Sequence, residues 1–317
     1  MTRYMLSRLA VALLVLFVAS IAIFSLLQFI PGDPATAILG ADATPDQLTA
    51  LRAQLGLDRP LLAQYGHWLA DVLSGDLGQS FGRGGPISTL LRDGLRNTLT
   101  LSSAALLIAI AASLTISSAA VVWPNRVVTT LVNAANTLAV ALPTFVTGVL
   151  LVLVFALLWP VLPAMGLPPD GLLADPVITA QYLLLPAVCL SLPVGAALTR
   201  FLTESLRTEL RQPYVLTARA LGLSEWRIIT RGAMRNALPT VVTVLGLQIG
   251  SLLSGAVIVE AIFAWPGIGG LLQEGINRRD YPLVQVLLLV SVSLFVVLQL
   301  VTDQIHALLD PRIRVRA

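Results

Sequence analysis

Six runs of apolar residues, each long enough to cross a bilayer as a helix, constrain the fold of this chain more than any other feature. About 20 apolar residues are needed to span the hydrocarbon core. Backbone polar groups in lipid must be satisfied within the protein, so we expect an all-α polytopic membrane protein with six transmembrane helices. The runs cover approximately Leu9–Ile30, Leu99–Val122, Leu131–Leu158, Tyr182–Leu202, Val241–Phe263 and Leu283–Val301.

The composition agrees with membrane insertion and excludes several chemistries. The chain has 317 residues, a mean hydropathy of +0.85 and 12% charged residues, whereas a soluble domain carries about 25%. All 20 basic residues are arginine. The absence of lysine excludes a P-loop and a lysine Schiff base. A single Cys189 cannot form an intramolecular disulfide, and the two histidines have no metal-ligand spacing.

The arginines orient the six spans, because cytoplasmic loops of membrane proteins are enriched in basic residues. The loop 159–181 carries two aspartates and no arginine, and five further arginines lie in the long segment 31–98. We therefore expect both termini to be cytoplasmic. The thirteen arginines assigned to the cytoplasmic side are Arg3, Arg8, Arg126, Arg200, Arg207, Arg211, Arg219, Arg227, Arg231, Arg235, Arg312, Arg314 and Arg316.

Prolines mark two of the runs. Pro143 interrupts the third, and Pro186 and Pro193 lie within the fourth. Neighbouring helices or water must satisfy the backbone groups that a proline frees, so we expect spans three and four to pack inside the bundle. The first run is longer than a signal-peptide core and ends in a Pro-Gly-Asp-Pro sequence at 31–34, so we interpret it as a retained anchor.

The sequence divides into three parts: 1–30 with the first span, an extracytoplasmic helical segment at 31–98, and a core at 99–317. In the segment 31–98, Thr44 as N-cap, Pro45 at the first position and Gln47 predict a capping box and a helix that Gly56 ends. Further helices are expected near residues 60 and 86. Their apolar stripes indicate packing faces, a docking platform for a substrate-delivery protein, or a cap over a translocation path.

The segment from Tyr214 to Pro239 is too polar to lie in lipid, and its residue pattern is too regular for an irregular loop. Its arginines alternate with small residues such as Ala218 and Ala220. The pattern predicts a helix, a sharp turn at Gly222 and a second helix, exposed on the cytoplasmic side.

With five motifs in order along nearly the whole chain, the sequence resembles the permease subunits of bacterial ABC importers of the dipeptide/oligopeptide family. The segment 207–238 is similar to their coupling loop, through Thr217-Ala218-Arg219-Ala220, Gly222-Leu223-Ser224 and Arg235-Asn236-Ala237-Leu238-Pro239. The chain departs from the usual loop at Gln212, Pro213 and Leu221, and from the usual start of span two at Thr100. Four further motifs match, namely Pro31-Gly32-Asp33-Pro34-Ala35, Leu55-Gly56-Leu57-Asp58-Arg59-Pro60 with Tyr65, Gly75-Asp76-Leu77-Gly78 with Ser80, and the run Glu260–Gly269. The ending Leu309-Asp310-Pro311-Arg312 also fits.

The resemblance implies a multi-pass protein of the bacterial inner membrane that forms half of a pore, without catalysis or a cofactor of its own. It implies a second, homologous but different permease, two cytoplasmic ATPases that bind ATP and Mg, and an extracytoplasmic substrate-binding protein, with no nucleic acid involved. A short coupling helix would seat in an ATPase cleft, where its arginines meet partner acids or, alternatively, lipid headgroups. The coupling-loop residues implied are Tyr214, Thr217, Ala218, Arg219, Ala220, Gly222, Leu223, Glu225, Arg227 and Arg231.

Polar residues within spans are candidates to line the path, because they are costly in lipid and face the interior. Helix–helix contacts are the alternative. For Glu260 we favour structural pairing with Arg278 or Arg279 over a gate or a contact to a substrate amine. Trp265 is interpreted as an interfacial anchor. The candidate pore residues are Asn136, Thr144, Gln248, Ser251 and Glu260.

Two other functions compete with an ABC permease. A secondary transporter driven by an ion gradient would need acids or a proton relay at mid-membrane, and spans two to four carry no clear ionisable residue there. A membrane enzyme would need a nucleophile–base pair or a metal set. The cargo stays open among dipeptides, oligopeptides, metal complexes and other small solutes.

Overall fold

The computed structural model describes residues 2–28, 34–39, 43–54, 56–172 and 174–309, and these ranges are largely helical. π-Helical turns at Leu153–Leu158 and Ile228–Ala233 continue two of the helices. The motif residues 31–33, 55 and 310–312 lie outside the described ranges. The helices are α1 Thr2–Gln28, α2 Pro34–Leu39, α3 Pro45–Gln54, α4 Leu61–Ser74, α5 Ile87–Val122, α6 Arg126–Ala141, α7 Thr144–Val152, α8 Pro176–Glu209, α9 Pro213–Ala220, α10 Glu225–Arg227, α11 Met234–Ile262, α12 Ile268–Asn277 and α13 Tyr281–Leu309.

The predicted polytopic all-α fold is confirmed, with one span broken. In the described ranges, 5 helices are long and apolar enough to cross a membrane, or 6 if the broken pair counts as one span. That pair is α6 followed by Thr144–Leu158, and its two halves are bent by 107°. The continuous spans are Leu6–Leu26, Ile87–Val122, Pro176–Glu209, Glu225–Ile262 and Tyr281–Ile305.

The break in the third span falls at the proline that the sequence singled out. Leu142, directly before Pro143, has a ψ of 125°, as expected because a proline disfavours helical ψ in the residue before it. Pro143 then starts α7. No residue of α6 is fully buried within this chain, although α6 packs against α8. The expectation that span three packs inside the bundle therefore stays a prediction for its first half. Helix α8 keeps Pro186 and Pro193 inside it and is extensively buried, as expected for span four.

The first of two compact units comprises Met1–Tyr4, Thr98–Trp265 and Val297–Ala317. Its core forms where α8 packs against α11, α6 and α7. Small residues also allow α5 to approach α8 closely: a Cβ on Gly195 of α8 would lie 3.5 Å from the Cα of Ala109 of α5. Leu190, Leu198 and Leu202 of α8 are fully or almost fully buried in this core.

The second unit comprises Met5–Asn97 and Pro266–Val296. The rings of Phe24, Tyr65 and Trp68 join α1 to α4 at centroid distances of 5.5 to 6.1 Å, and the hydroxyls of Ser20 and Tyr65 lie 2.9 Å apart. The predicted apolar face of α4 packs only in part, since Leu62 is 85% exposed. A separate apolar cluster gathers Ile87, Ile268, Leu271, Leu283, Val286 and Leu287.

The helix starts predicted in segment 31–98 are confirmed. The backbone N–H of Thr44 donates to Oε1 of Gln47 at 3.0 Å, and the N–H of Gln47 donates to Oγ1 of Thr44 at 3.4 Å. Gly56 has a φ of +68°, and α4 begins after Pro60. The helix expected near residue 86 is the beginning of α5 itself, which runs without interruption for 36 residues into the membrane span.

One buried carboxylate fixes the loop between α4 and α5. Oδ2 of Asp280 accepts hydrogen bonds from the hydroxyl of Ser80 at 2.5 Å and from the N–H of Gly82 at 2.9 Å. Glu274 forms ion pairs with Arg83 at 2.9 Å and with Arg278 at 3.1 Å. The loop 75–86 is therefore held to residues almost 200 positions further along the chain.

Candidate functional site: the coupling loop and a polar cavity

Helix α9 lies within the predicted coupling loop and has well-defined ends. Pro213 occupies its first turn, where the missing N–H costs nothing. Beyond its last turn Gly222 adopts a φ of +77°. The N–H of Gly222 donates to the carbonyl of Arg219 at 3.0 Å and that of Leu223 to Ala218 at 3.2 Å, the Schellman arrangement of helix ends. The predicted Gly-centred turn is confirmed.

The second predicted helix is continuous with a membrane span. It begins with α10 at Glu225, passes through the π-helical turn Ile228–Ala233 and continues as α11. The whole stretch Glu225–Ile262 forms one helix of 38 residues. No loop therefore separates Glu225 from the membrane span.

A hydrogen-bonded triangle and one buried side chain hold α9 against the rest of the chain. Val215 is fully buried. The hydroxyl of Tyr214 donates to Oε2 of Glu209 at 2.8 Å, and Nδ2 of Asn236 donates to the same oxygen at 3.2 Å and to the Tyr214 oxygen at 3.3 Å. Burial, and then the hydrogen bond to Glu209, raise the pKa of Tyr214. The phenol therefore stays protonated and keeps donating.

An ion pair between Arg219 and Glu225 spans the turn at Gly222. The Nε of Arg219 lies 2.6 Å from Oε1 of Glu225, and its second nitrogen lies 3.1 Å from Oε2. The hydrogen bond to Glu225 is the main cause that raises the pKa of Arg219. Arg219 thus has a partner within its own chain. Within the described residues, Arg227 and Arg231 form no ion pair, so their side chains are free to meet another molecule.

The outer surface of this region is apolar and exposed. Leu216 is 63% exposed, Leu221 76% and Trp226 56%. Large apolar side chains grouped beside arginines mark interaction surfaces. Thr217 and Ala220 are exposed on the same short helix, and Ala218 is half-buried.

The candidate pore residues lie at several places in the first unit. Gln248 and Ser251 are joined on α11, where the Ser251 hydroxyl donates to Oε1 of Gln248 at 2.7 Å. Thr144 begins α7, and its carbonyl accepts from Sγ of Cys189 at 3.5 Å. Asn136 lines a cavity beside α8. The five residues do not form one cluster, and their predicted role in the path stays a prediction.

Glu260 is buried at the end of α11. It is 1% exposed and accepts a hydrogen bond from the Thr98 hydroxyl at 2.5 Å. Its expected pairing with Arg278 or Arg279 stays a prediction. Trp265 is also 1% exposed and belongs to the apolar core of the first unit. The interpretation of Trp265 as an interfacial anchor is therefore wrong, because an anchor must reach lipid.

A polar cavity of about 340 Å³ lies between α6 and α8. Arg200, Thr203, Glu204 and Arg207 line it from α8 at positions i, i+3, i+4 and i+7, which place them on one helix face. The same spacing on α6 supplies the opposite wall. That wall consists of Thr129, Val132, Asn133 and Asn136, with Ala120 of α5 beside it.

Several of these residues were not predicted as site residues. Glu209 and Val215 gave no distinct sequence signal, because their partners become neighbours only in the fold. The cavity had a signal that could have found it: polar residues repeat with helical spacing at 129–136 and again at 200–207. Among the described side chains, no group of three His, Cys, Asp or Glu could hold a metal ion.

The described spans, and the short exposed helix α9 that one tight turn joins to the helix Glu225–Ile262, define a multi-pass membrane protein. Residues 111–315 match the family described as "Binding-protein-dependent transport system inner membrane component", and residues 1–102 match its N-terminal region. The chain is 35% identical over 314 residues to the glutathione transport system permease protein GsiC of Salmonella typhimurium, and 34% identical to that of Escherichia coli K12, with 99% of each chain covered. The chain belongs to this family of ABC importer permeases.

Proposed function

We propose that this chain forms half of the translocation pore of an ATP-driven importer for short peptides, and that α9 couples it to a cytoplasmic ATPase. The observation that carries the proposal is the form of the coupling loop. Helix α9 is held by the buried side chain of Val215 and by the hydrogen bonds of Tyr214. It presents exposed apolar residues, and one tight turn connects it to a span of 38 residues. An ATPase subunit that binds α9 could therefore move the span Glu225–Ile262 together with it.

The mechanism follows from that connection. Because the chain has no lysine and so no P-loop, ATP and Mg are expected to bind to the partner ATPase subunits. Movement of those subunits would then drive the conformational change of this chain. Closure of two ATPase subunits would carry the two seated helices with them. Because Glu225–Ile262 is one helix, the motion tilts this span and alternates access to a central path. Arg227 and Arg231 would meet acids on the ATPase, while the Arg219–Glu225 pair keeps the turn closed.

The remaining partners follow from the family. A second, homologous permease would complete the pore, and an extracytoplasmic binding protein would deliver the cargo. The arginine distribution supports a cytoplasmic location for both termini and for α9. The chain itself would bind no cofactor and catalyse no reaction.

Peptides are the proposed class of cargo. The relatives named above are permeases of a glutathione transport system, and glutathione is a short peptide with free carboxylate and ammonium groups. At 34–35% identity over almost the full length, a cargo of similar chemistry is the simplest expectation.

The test is to reconstitute the chain with its partner permease, ATPases and binding protein, and to compare two loop variants with a matched control. Ala218→Glu places a charge on the seated helix, and Gly222→Pro imposes a φ that the turn cannot accept. Ala174→Glu makes the same change of charge at an exposed loop residue outside the coupling loop.

We expect both loop variants to insert normally but to lose transport-coupled ATP hydrolysis, while Ala174→Glu keeps it. Unchanged coupling in both loop variants would refute the role of α9. Uptake by the chain without ATPases, abolished by a protonophore, would establish gradient-driven secondary transport instead.

A further inference from the structure

Three charged side chains that line the cavity between α6 and α8, Arg200, Glu204 and Arg207, are exposed to solvent. Within the described residues, Arg200, Glu204 and Arg207 take part in no ion pair. The hydroxyl of Thr203, on the same face, is buried without a hydrogen-bond partner. The face that α8 turns to this cavity therefore presents two guanidinium groups and one carboxylate that no ion pair within the described residues neutralises.

The order of charges along α8 is positive, negative, positive. With a rise of about 1.5 Å per residue, Glu204 lies about 6 Å along the axis from Arg200 and about 4.5 Å from Arg207. A guanidinium binds a carboxylate or phosphate through paired N–H donors, and a carboxylate accepts from an ammonium group. Asn133 and Asn136 on the opposite wall can both donate and accept.

The volume agrees with a small ligand. Sites for small molecules typically range from about 300 to 1,000 Å³, and this cavity has about 340 Å³. It is too small for a folded partner, and its polar walls do not suit an acyl chain. Arginines that only contacted lipid phosphates would leave Glu204 and the two asparagines without a role.

We infer that this cavity binds a small zwitterion, with its oxyanion group on Arg200 or Arg207 and its ammonium group on Glu204. A short peptide has this chemistry at its two ends, and the assignment of a peptide rests on the proposed transport function. The headgroup of phosphatidylethanolamine carries the same pair of groups. The ligand would bind to the C-terminal half of α8, which directly precedes the coupling loop.

The peptide arm of the test uses the full chain in nanodiscs of phosphatidylglycerol, which has no ammonium group. Trialanine is the probe, compared with its N-acetylated and C-amidated forms by equilibrium dialysis. We expect each blocked form to bind about tenfold more weakly. The double variant Arg200→Gln/Arg207→Gln should abolish the discrimination against the amide, and Glu204→Gln should abolish the discrimination against the acetylated form. Arg126→Gln, an exposed arginine of α6 outside the cavity, is the matched control and should change neither.

The lipid arm uses native mass spectrometry of the chain in nanodiscs that contain phosphatidylethanolamine. Retention of this lipid by the wild type, and its loss in Arg200→Gln/Arg207→Gln and in Glu204→Gln, would identify the headgroup as the occupant. Binding of trialanine or of the lipid that is unchanged in these variants, or no binding of either, would overturn the inference. Co-purification of the ATPases is scored separately, so a failure of the zwitterion site is distinguishable from a failure of the proposed transport function.

Discussion

At the scale of single residues, the two ends of α9 are fixed in different ways. Gly222 is needed for its backbone: its φ is +77°, while a Cβ there would meet nothing within 4 Å. Val215 is needed for its side chain, which is fully buried. The triangle of Glu209, Tyr214 and Asn236 then ties the beginning of the helix to α8 and α11. These contacts leave the outer surface exposed while they fix its position.

Gly222→Ala should weaken the turn by about 1–2 kcal/mol, because an L side chain at left-handed φ crowds its own carbonyl. Gly66→Ala in α4 is the matched control. A Cβ at Gly66 also meets nothing within 4 Å, but its backbone is helical, so alanine should stabilise that helix by about 0.5–1 kcal/mol. Tryptic cleavage between 219 and 231 measures opening of the turn. Equal cleavage in the wild type and Gly222→Ala would contradict the prediction.

Asp280→Ala should destabilise the second unit by about 3 kcal/mol or more. Asp280 is 1% exposed and accepts from Ser80 and Gly82, and each buried donor left unpaired costs about 1–3 kcal/mol. Ser80→Ala removes one of these donors and should cost about half as much. The thermal unfolding midpoints of the two variants in detergent compare them. Similar midpoints for Asp280→Ala and the wild type would show that the loop is held by other contacts.

At the scale of elements, local chemistry in the sequence was sufficient wherever partners are close along the chain. The capping box at Thr44 and Gln47, the turn at Gly222 and the break at Pro143 each depend on a few consecutive residues. Contacts such as Ser80 to Asp280 depend on residues about 200 positions apart, and no local pattern predicts them. Trp265 was misassigned for the same reason, since its burial depends on how distant helices pack.

Neighbouring residues of α9 should separate stability from coupling. Val215→Ala should cost about 2 kcal/mol, because it removes apolar contacts from a filled core. Leu216, which is 63% exposed, should tolerate alanine without loss of stability but bind the ATPase more weakly. Thermal unfolding and co-purification with the ATPase measure the two effects. The seating of α9 would be refuted if Leu216→Ala left co-purification unchanged and Val215→Ala left stability unchanged.

At the scale of the whole molecule, labelling of single cysteines can determine on which side of the membrane each loop lies. The one native cysteine, Cys189, is 1% exposed and can be replaced by alanine. In that background, exposed Ser74 and Asp170 replaced by cysteine should react with an impermeant maleimide on intact cells. Ser224→Cys should react only after permeabilisation. The reverse pattern would place α9 outside and exclude its coupling to a cytoplasmic ATPase.

The bonds from Asp280 to the loop at Ser80 and Gly82 have a consequence for how the protein is made. At a synthesis rate of about 5–20 residues per second, this carboxylate emerges roughly 10–40 seconds after the loop that it holds. During that interval the Ser80 hydroxyl and the Gly82 N–H lack this acceptor. A chain that ends before the aspartate never closes this loop. This loop therefore reaches its final hydrogen bonding late in synthesis, after all the described spans except α13 have been made.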